Sequence, residues 1–168
     1  GQRFSQEARL ASQIKHPNVV DIFDYGVASN GCPYYAMEHL DGHSLAYEID
    51  HHGRLDPPRA LELAIQVARG LGEAHEHGVV HRDLKPDNVF LCPVDPSQGQ
   101  ERVKRLDFGI ARLQGRRTRF TAAGAVVGTP EYMSPEQAQG EDVDGRADLY
   151  ALGVILFEML AGTVPLRG

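Results

Sequence analysis

The chain has 168 residues, of which 42% are hydrophobic and 24% charged, and this balance is that of a globular protein long enough to bury the core of one domain. The formal charge of −6 argues against nucleic acid or an anionic membrane surface as the main partner, because both reward clustered Lys and Arg. Two distant cysteines, Cys32 and Cys92, predict neither a disulfide framework nor a cysteine zinc site, and they favour a reducing, cytoplasmic setting. The most apolar stretch, residues 149–161, is shorter than the roughly 20 residues of a membrane span and contains Glu158, so neither a spanning helix nor a signal peptide is predicted.

The first third of the chain predicts a helix, a hairpin and a second helix. Residues 4–15 carry apolar side chains at helical spacing, and the pattern ends before Pro17 because the residue preceding a proline disfavours helix. Residues 19–27 and 33–40 are rich in β-branched and aromatic side chains and flank a polar turn, which predicts two paired strands. A small polar helix is expected to open near Gly42.

A long amphipathic helix is expected at residues 60–77. Asp56 is placed to cap its free N–H groups, and Gly78 is placed where a helix end often needs a left-handed residue. Six apolar residues are predicted to share its buried face: Leu61, Ala64, Ile65, Ala68, Leu71 and Ala74.

The second half of the chain predicts short strands, a long loop and a buried helix. Residues 79–91 and 103–106 have the composition of strands and lie on either side of a polar segment at 93–100. Residues 107–133 show little periodicity, which predicts a long loop. Residues 148–160 are apolar on nearly all sides, which predicts a buried central helix.

The most distinctive polar segment has the sequence HRDLKPDN, at residues 81–88. It places a carboxylate, an ammonium and an amide, those of Asp83, Lys85 and Asn88, in a short loop beside apolar strands. A phosphoryl transfer needs a group that accepts the proton of the attacking hydroxyl, a cation on the moving phosphoryl group and hard oxygen ligands for magnesium. These three side chains and the later Asp107 supply that set and predict a phosphoryl-transfer centre.

The same residues resemble the catalytic loop and the metal-binding Asp-Phe-Gly triplet of eukaryotic-like protein kinases. The resemblance implies that Asp83 is the catalytic base, that Lys85 contacts the transferred phosphate, and that Asn88 and Asp107 bind the metal. Lys85 also indicates the Ser/Thr branch rather than the Tyr branch. The implied function is a Ser/Thr protein kinase that uses ATP with Mg²⁺ or Mn²⁺ and acts on protein hydroxyls. The alternative, a polar turn before a strand, does not explain the motifs that follow in family order.

A further motif, GTPEYMSPE at residues 128–136, is similar to the end of a kinase activation segment, with Ser134 where alanine is more common. By resemblance, Thr129 contacts the catalytic loop and helps to read the acceptor hydroxyl. Glu136 is implied to hold the base of the segment through an ion pair.

Control by phosphorylation is suggested by Arg82, because a guanidinium beside the predicted base can bind a phosphothreonine through paired hydrogen bonds. Arg112 is placed to help it. We expect Thr118 or Thr121 to be autophosphorylated and to order the segment, and a dimer of kinase domains would serve that reaction. The alternative is that both are solvated loop threonines.

Residues 35–40 resemble the strand and hinge behind an adenine pocket. Met37 occupies the gatekeeper position, and the backbones of Glu38 and Leu40 are the implied hydrogen-bond partners of the base. Phe90 either lies under the adenine or belongs to the core, and core is the commoner place for an aromatic residue in a strand.

Two acidic residues fit supporting roles in the family. Glu7 lies on the first helix where the family places the glutamate that pairs with a strand lysine, although it could be one more exposed helix carboxylate. Asp148 resembles the buried helix aspartate that accepts hydrogen bonds from the backbone of His81 and Arg82, and its alternative is an ordinary acid near a helix N-terminus.

Several histidines raise the question of a metal site. His75 and His77 bracket one residue on a helix, so their rings point to different faces, and neither this pair nor His51 and His52 has an evident third ligand. Solvated histidines are predicted.

The resemblance covers nearly the whole chain and implies an α+β, two-lobed kinase-like fold that is only partly present. Residues 1–40 are expected to be the rest of the small lobe and the hinge, and residues 41–168 part of the helical lobe. The chain begins too late for the family's glycine-rich loop and strand lysine, so we expect the polypeptide as printed to bind nucleotide poorly and turn over little. Residues 4–18 and 134–138 look most like bacterial members, which are often tethered by a later membrane helix.

Two other functions stay open at this point. One is a degenerate kinase that acts as a binding scaffold, and the other is a small-molecule kinase of the same fold.

Overall fold

The computed structural model describes residues 10, 12–95, 97, 100–105 and 130–166. Most of the predicted first helix therefore lies outside the described residues, although Leu10, Ser12 and Gln13 are helical. The chain has left the helix by Ile14, ahead of Pro17.

The predicted hairpin is confirmed, with shorter strands. Strand β1 (Ile22–Val27) pairs antiparallel with β2 (Pro33–Met37), and the turn between them is closed by hydrogen bonds from Ala28 N–H to Cys32 O and from Gly31 N–H to Ala28 O.

The small polar helix near Gly42 is also present, but it begins later. A two-residue strand, β3 (His43–Ser44), comes first, and helix α1 (Leu45–His52) follows it. The hydroxyl of Ser44 accepts a hydrogen bond from the backbone N–H of Tyr47 at 3.1 Å, and this cap fixes where the helix starts.

Helix α2 (Pro57–Glu76) is the longest element of the described residues, and it ends before the left-handed Gly78 (φ 71°) as predicted. The predicted side-chain cap by Asp56 is wrong, because its carboxylate makes no capping hydrogen bond. Pro57 and Pro58 fill the first turn and have no N–H groups, so they remove a donor that such a cap would satisfy.

The predicted buried face of α2 is partly wrong. Leu61 and Ile65 are 55% and 43% exposed. The residues that the helix buries are Ala60, Leu63, Ala64, Val67, Gly70, Leu71 and Ala74. Apolar residues cover more than one stripe of this helix, so periodicity alone did not select the stripe that meets the core.

The second sheet has the strand order β3-β4-β5, with β4 (Val89–Asp95) antiparallel to β5 (Gln100–Arg105). The predicted strand at 79–91 is wrong over its first ten residues, which form a loop and a 3₁₀ turn (Pro86–Asn88). The strands reach further into the polar segment between them than the sequence predicted.

The last part of the chain is helical. A 3₁₀ turn (Pro130–Tyr132) leads to the short helix α3 (Pro135–Gln139) and then to α4 (Gly145–Ala161). Helix α4 buries one face only within the described residues, since Leu149 and Phe157 are 54% and 46% exposed. The predicted burial on all sides is therefore wrong for this part of the chain.

Helices α1, α2 and α4 enclose the main core together with β4 and β5. The most deeply buried members, each at most 1% exposed, are Leu45, Ala60, Leu71, Val89, Leu91, Val103, Ile155 and Met159. A smaller cluster joins the end of α2 to the hairpin and contains Ile14, Val19, Ile22, Ala74 and Val79. The architecture is mixed α+β, as predicted. None of the helices in the described ranges combines the length and apolar character that a membrane span requires.

Candidate active site

The loop from His81 to Asn88 is attached to the core by three of its residues. His81 and Leu84 are 1% and 2% exposed, and Pro86 is buried as well. The side chains between them, those of Asp83 and Lys85, are only half-buried. The loop therefore presents its polar side chains on its accessible side while apolar neighbours hold it against the core.

Asp148 holds the start of this loop through hydrogen bonds to its backbone. It lies in the first turn of α4, is 1% exposed, and accepts hydrogen bonds from the backbone N–H groups of His81 and Arg82, both at 2.9 Å. These are the contacts that the resemblance implied for it. His75 Nε2 lies 2.8 Å from the same carboxylate, and because a carboxylate only accepts, this nitrogen carries the proton. The prediction that the histidines are solvated is thus wrong for His75.

Gly145 permits this contact between α2 and α4. A Cβ atom at this glycine would lie 2.7 Å from His75 Nδ1, which is closer than real Cβ atoms approach. A larger residue at this position would force the His75 ring or the first turn of α4 to shift.

The polar groups of the loop also hold one another. The backbone N–H of Asp83 donates to His81 Nδ1 at 3.2 Å, and Asn88 Nδ2 donates to the Asp83 carbonyl at 2.9 Å. Because the Asn88 amide nitrogen is engaged inward, its oxygen is the atom left for an external partner. A hard cation prefers such an oxygen, so the orientation of Asn88 fits the metal-binding role implied for it.

The predicted hinge follows β2 and is fixed by a side-chain network. The Glu38 carboxylate accepts from Lys104 Nζ at 2.6 Å and from the backbone N–H of Asp21 at 2.8 Å. The Glu38 N–H donates to the Asp21 carbonyl, so the Glu38 carbonyl is the backbone group it can offer to a ligand. Met37, at the predicted gatekeeper position, is 39% exposed, and Leu40 is half-buried.

Phe90 lies on the face of β4 that points away from the main core. Its neighbours Val89 and Leu91 are almost fully buried, whereas Phe90 is half-buried. It pairs across the sheet with Lys104, and directly paired residues share a face. Since Lys104 reaches Glu38, Phe90 faces the side of the sheet on which the hinge lies.

Comparison with known proteins identifies the family. All 168 residues match the family model of the protein kinase domain.

The chain belongs to the protein kinase family.

Curated bacterial kinases are similar over almost its whole length. The Ser/Thr protein kinase Pkn1 of Myxococcus xanthus is 49% identical over 164 residues, which are 98% of this chain and 23% of that protein. The Ser/Thr protein kinase pkn3 of the same organism is 43% identical over 167 residues, which are 97% of this chain and 30% of that protein. The chain thus spans less than a third of these curated relatives. The predicted family and Ser/Thr branch are confirmed.

A solved kinase domain shares the fold. The crystal structure of the Mycobacterium tuberculosis PknI kinase domain matches with a TM-score of 0.77 at 30% identity, over 99% of this chain and 59% of that chain. The expectation of a partial kinase-like α+β fold is therefore confirmed. The use of ATP and a divalent metal ion is general in this family.

Several predicted kinase residues lie outside the described residues. These are Glu7, Asp107, Arg112, Thr118, Thr121 and Thr129. Glu136 is described, and it lies in the first turn of α3, while Arg82 is exposed at the entrance of the loop. The structure brings Asp83, Lys85 and Asn88 together in that loop.

A polar pair below the kinase loop was missed by the sequence reasoning. The Tyr132 hydroxyl donates to Glu158 Oε2 at 2.6 Å. Burial raises the pKa of Tyr132, and the bond to Glu158 raises it further. Burial also raises the pKa of Glu158, and the nearby charges of Asp50, Asp87 and Glu131 add to that effect. Glu158 is the charged residue inside the apolar stretch, which was a signal that it has a specific partner.

No group of three or more His, Cys, Asp or Glu side chains that could hold a metal ion occurs in the described part of the kinase chain. His51 and His77 are exposed, and each makes a ring hydrogen bond to a backbone carbonyl four residues earlier. These contacts are ordinary for histidines on a helix surface.

Proposed function

We propose that the protein transfers the γ-phosphoryl group of ATP to Ser or Thr hydroxyls of other proteins. The observation that carries the proposal is the arrangement of the loop from His81 to Asn88. Its backbone is fixed by buried groups, and it presents a carboxylate, an ammonium and an amide oxygen within six residues, at Asp83, Lys85 and Asn88.

Each of these side chains suits one requirement of phosphoryl transfer. The Asp83 carboxylate can orient the acceptor hydroxyl and accept its proton, since its own backbone is held on both sides. The Lys85 ammonium can balance negative charge on the transferred group. The Asn88 oxygen would be a ligand of a magnesium ion, which when bound neutralises charge on the phosphates.

We propose that the hinge binds the adenine through backbone groups. The Glu38 carbonyl accepts and the Leu40 N–H donates, while Met37 borders the base. The orientation of Phe90 toward the hinge side of its sheet supports its placement under the adenine rather than in the core.

The catalytic assignment is tested by Asp83→Asn in the full-length protein. The variant keeps the shape of the side chain and loses the proton acceptor, so we expect kcat for a protein acceptor to fall by about 10²- to 10⁴-fold. The KM for ATP should change little, because Asp83 is not assigned to nucleotide binding. Transfer is measured with radiolabelled ATP.

Asp142→Asn is the matched control, because Asp142 is exposed and lies outside the loop while its substitution makes the same change in charge. It should keep the parent rate. Equal activity of the parent protein and Asp83→Asn would refute the assignment of the base. Nucleotide binding without transfer by the parent protein would support the scaffold instead.

Regulation through the activation segment is part of the proposal. We infer that phosphorylated Thr118 or Thr121 binds Arg82, assisted by Arg112, because Arg82 is exposed beside the base. Mapping of phosphosites on active protein should find one of the two threonines modified.

A further inference from the structure

Arg82 has a backbone conformation that needs support. Its φ is 63°, and among the described residues it is the only non-glycine residue with a positive φ. A side chain at such a φ is strained, and strained residues persist where their surroundings hold them. The contacts that hold the Arg82 backbone therefore also fix the backbone position of the next residue, Asp83.

The peptide group that joins Arg82 to Asp83 is held at both of its polar atoms. Its N–H, which belongs to Asp83, donates to His81 Nδ1 at 3.2 Å. Its carbonyl, which belongs to Arg82, accepts a hydrogen bond from Gln137 Nε2 at 2.8 Å. The plane of this peptide sets the direction in which the Asp83 side chain leaves the backbone.

Gln137 is itself fixed by a second hydrogen bond. Its Oε1 accepts from the backbone N–H of Ser134 at 3.1 Å, at the start of α3. The amide thus uses its acceptor on its own helix and its donor on the loop, 55 residues away in sequence. Gln137 also lines the small cavity that Arg82, Asp83 and Lys85 border.

We propose that Gln137 is a positioning residue for Asp83. It fixes the Arg82–Asp83 peptide, and it makes the orientation of the base depend on the placement of α3. The inference rests on the proposed function, since it assigns Gln137 a task in the reaction of Asp83. An amide is suited to the task because its tip carries a donor and an acceptor together.

Two substitutions separate the two hydrogen bonds of Gln137. Gln137→Glu keeps an acceptor for Ser134 N–H, as in a capping box, but places a carboxylate oxygen against the Arg82 carbonyl. Gln137→Lys keeps a donor for the Arg82 carbonyl and loses the acceptor. If the bond to the loop matters, the acceptor-only variant loses activity and the donor-only variant keeps it.

The experiment measures kcat and the KM for ATP of both variants in the full-length protein, with thermal unfolding as a check of folding. We expect Gln137→Glu to lower kcat by about 10- to 100-fold, as a misplaced catalytic group does, with the KM for ATP nearly unchanged. Gln137→Lys should stay within about 3-fold of the parent kcat, which is a barrier change of under 1 kcal/mol.

The result that overturns the proposal is a parent-like kcat for Gln137→Glu. That outcome would leave Gln137 as a helix cap only. If Gln137→Glu does not fold, Gln137→Ala, which lacks both the donor and the acceptor, takes its place. A parent-like kcat for Gln137→Lys together with a loss for Gln137→Ala then supports the proposal, and equal losses in the two variants overturn it. Failure of the proposed function is seen separately, as unchanged activity in Asp83→Asn.

Discussion

At the scale of the residue, Asp148 shows how much one buried carboxylate can organise. It accepts from two consecutive backbone N–H groups and from His75, and its side chain is 1% exposed. Buried donors that lose their acceptor cost the full desolvation of each group. Asp148 is therefore a main support of the loop entrance, beside the hydrogen bonds that hold the Arg82–Asp83 peptide.

We expect Asp148→Ala to lower the free energy of unfolding by about 3 kcal/mol or more, because it leaves those donors without an acceptor in a buried place. The measurement is urea denaturation of the full-length protein. Asp144→Ala is the control at the N-cap of the same helix, where the carboxylate is 60% exposed and accepts from the Arg146 N–H. It removes an exposed cap rather than a buried acceptor and should lose less. Similar losses in the two variants would contradict the role given to Asp148.

At the scale of the element, helix α2 shows what periodicity can and cannot decide. Its existence and its end at Gly78 follow from apolar spacing and a left-handed glycine. Periodicity does not determine which stripe of the helix faces the core, since Leu61 and Ile65 belong to the apolar pattern and are exposed. That choice is made by the surfaces of β5 and α4 against which the helix packs.

The orientation of α2 can be tested with one substitution at two positions. Leu71→Ala should cost about 2–5 kcal/mol in the free energy of unfolding, because Leu71 is fully buried and truncation leaves a cavity. Leu61→Ala on the same helix should cost under about 1 kcal/mol, since its side chain is 55% exposed. Chemical denaturation of both variants gives the comparison, and equal losses would mean that the helix is rotated.

A sequence does not show which distant residues the fold will bring together, and this explains which parts of the site could be predicted. Asp83, Lys85 and Asn88 lie within six residues of one another, so the motif itself predicts that they share one loop. Gln137 contacts Arg82 of the loop, which lies 55 residues away in sequence. His75 acts through Asp148, which lies 73 residues from it. A glutamine or a histidine in the sequence does not indicate such a role until the fold places it against a backbone group or a carboxylate.

The predicted strand over 79–88 failed for a related physical reason. Val79, Val80 and Leu84 give this segment the composition of a strand. His81 and Leu84 are nevertheless buried by contacts with α4 and the core rather than by pairing with a neighbouring strand.

At the scale of the whole molecule, one ion-pair network joins three elements. Arg59 on α2 contacts Glu48 on α1 through Nη1 and Glu101 on β5 through Nε and Nη2. Burial alone would raise the pKa of Glu48, but the hydrogen bonds from Arg59 and His43 outweigh it and hold that pKa below its ordinary value of 4.5. Helix α1 is tied to the rest of the molecule through this carboxylate.

Arg59→Met should therefore reduce the free energy of unfolding at pH 7 by about 2 kcal/mol. This is less than the 3–5 kcal/mol typical of breaking a fully buried pair, because the Arg59 side chain is 35% exposed and partly screened by water. Arg69→Met, at an exposed position of the same helix, should have little effect.

The pH dependence of this difference has a definite sign. A carboxylate with a lowered pKa in the folded state contributes stability above its ordinary pKa, and that stability is lost as the pH falls through the folded-state value. The gap between the parent protein and Arg59→Met should therefore narrow as the pH is lowered from 7 to below 4.5. A gap that stays constant over this range in urea denaturation would contradict the assignment to Glu48.

The network at the hinge has a consequence for inhibitor design. The Glu38 carboxylate is already bound to Lys104 and to the Asp21 backbone. If this segment binds adenine as proposed, a nucleotide-competitive compound gains little by carrying a cation toward that carboxylate. The compound would instead meet the backbone groups of Glu38 and Leu40, and backbone groups do not distinguish this protein from others. Selectivity would instead come from the shape of the side chains at its borders, those of Met37 and Phe90, where a change in volume alters which ring systems fit.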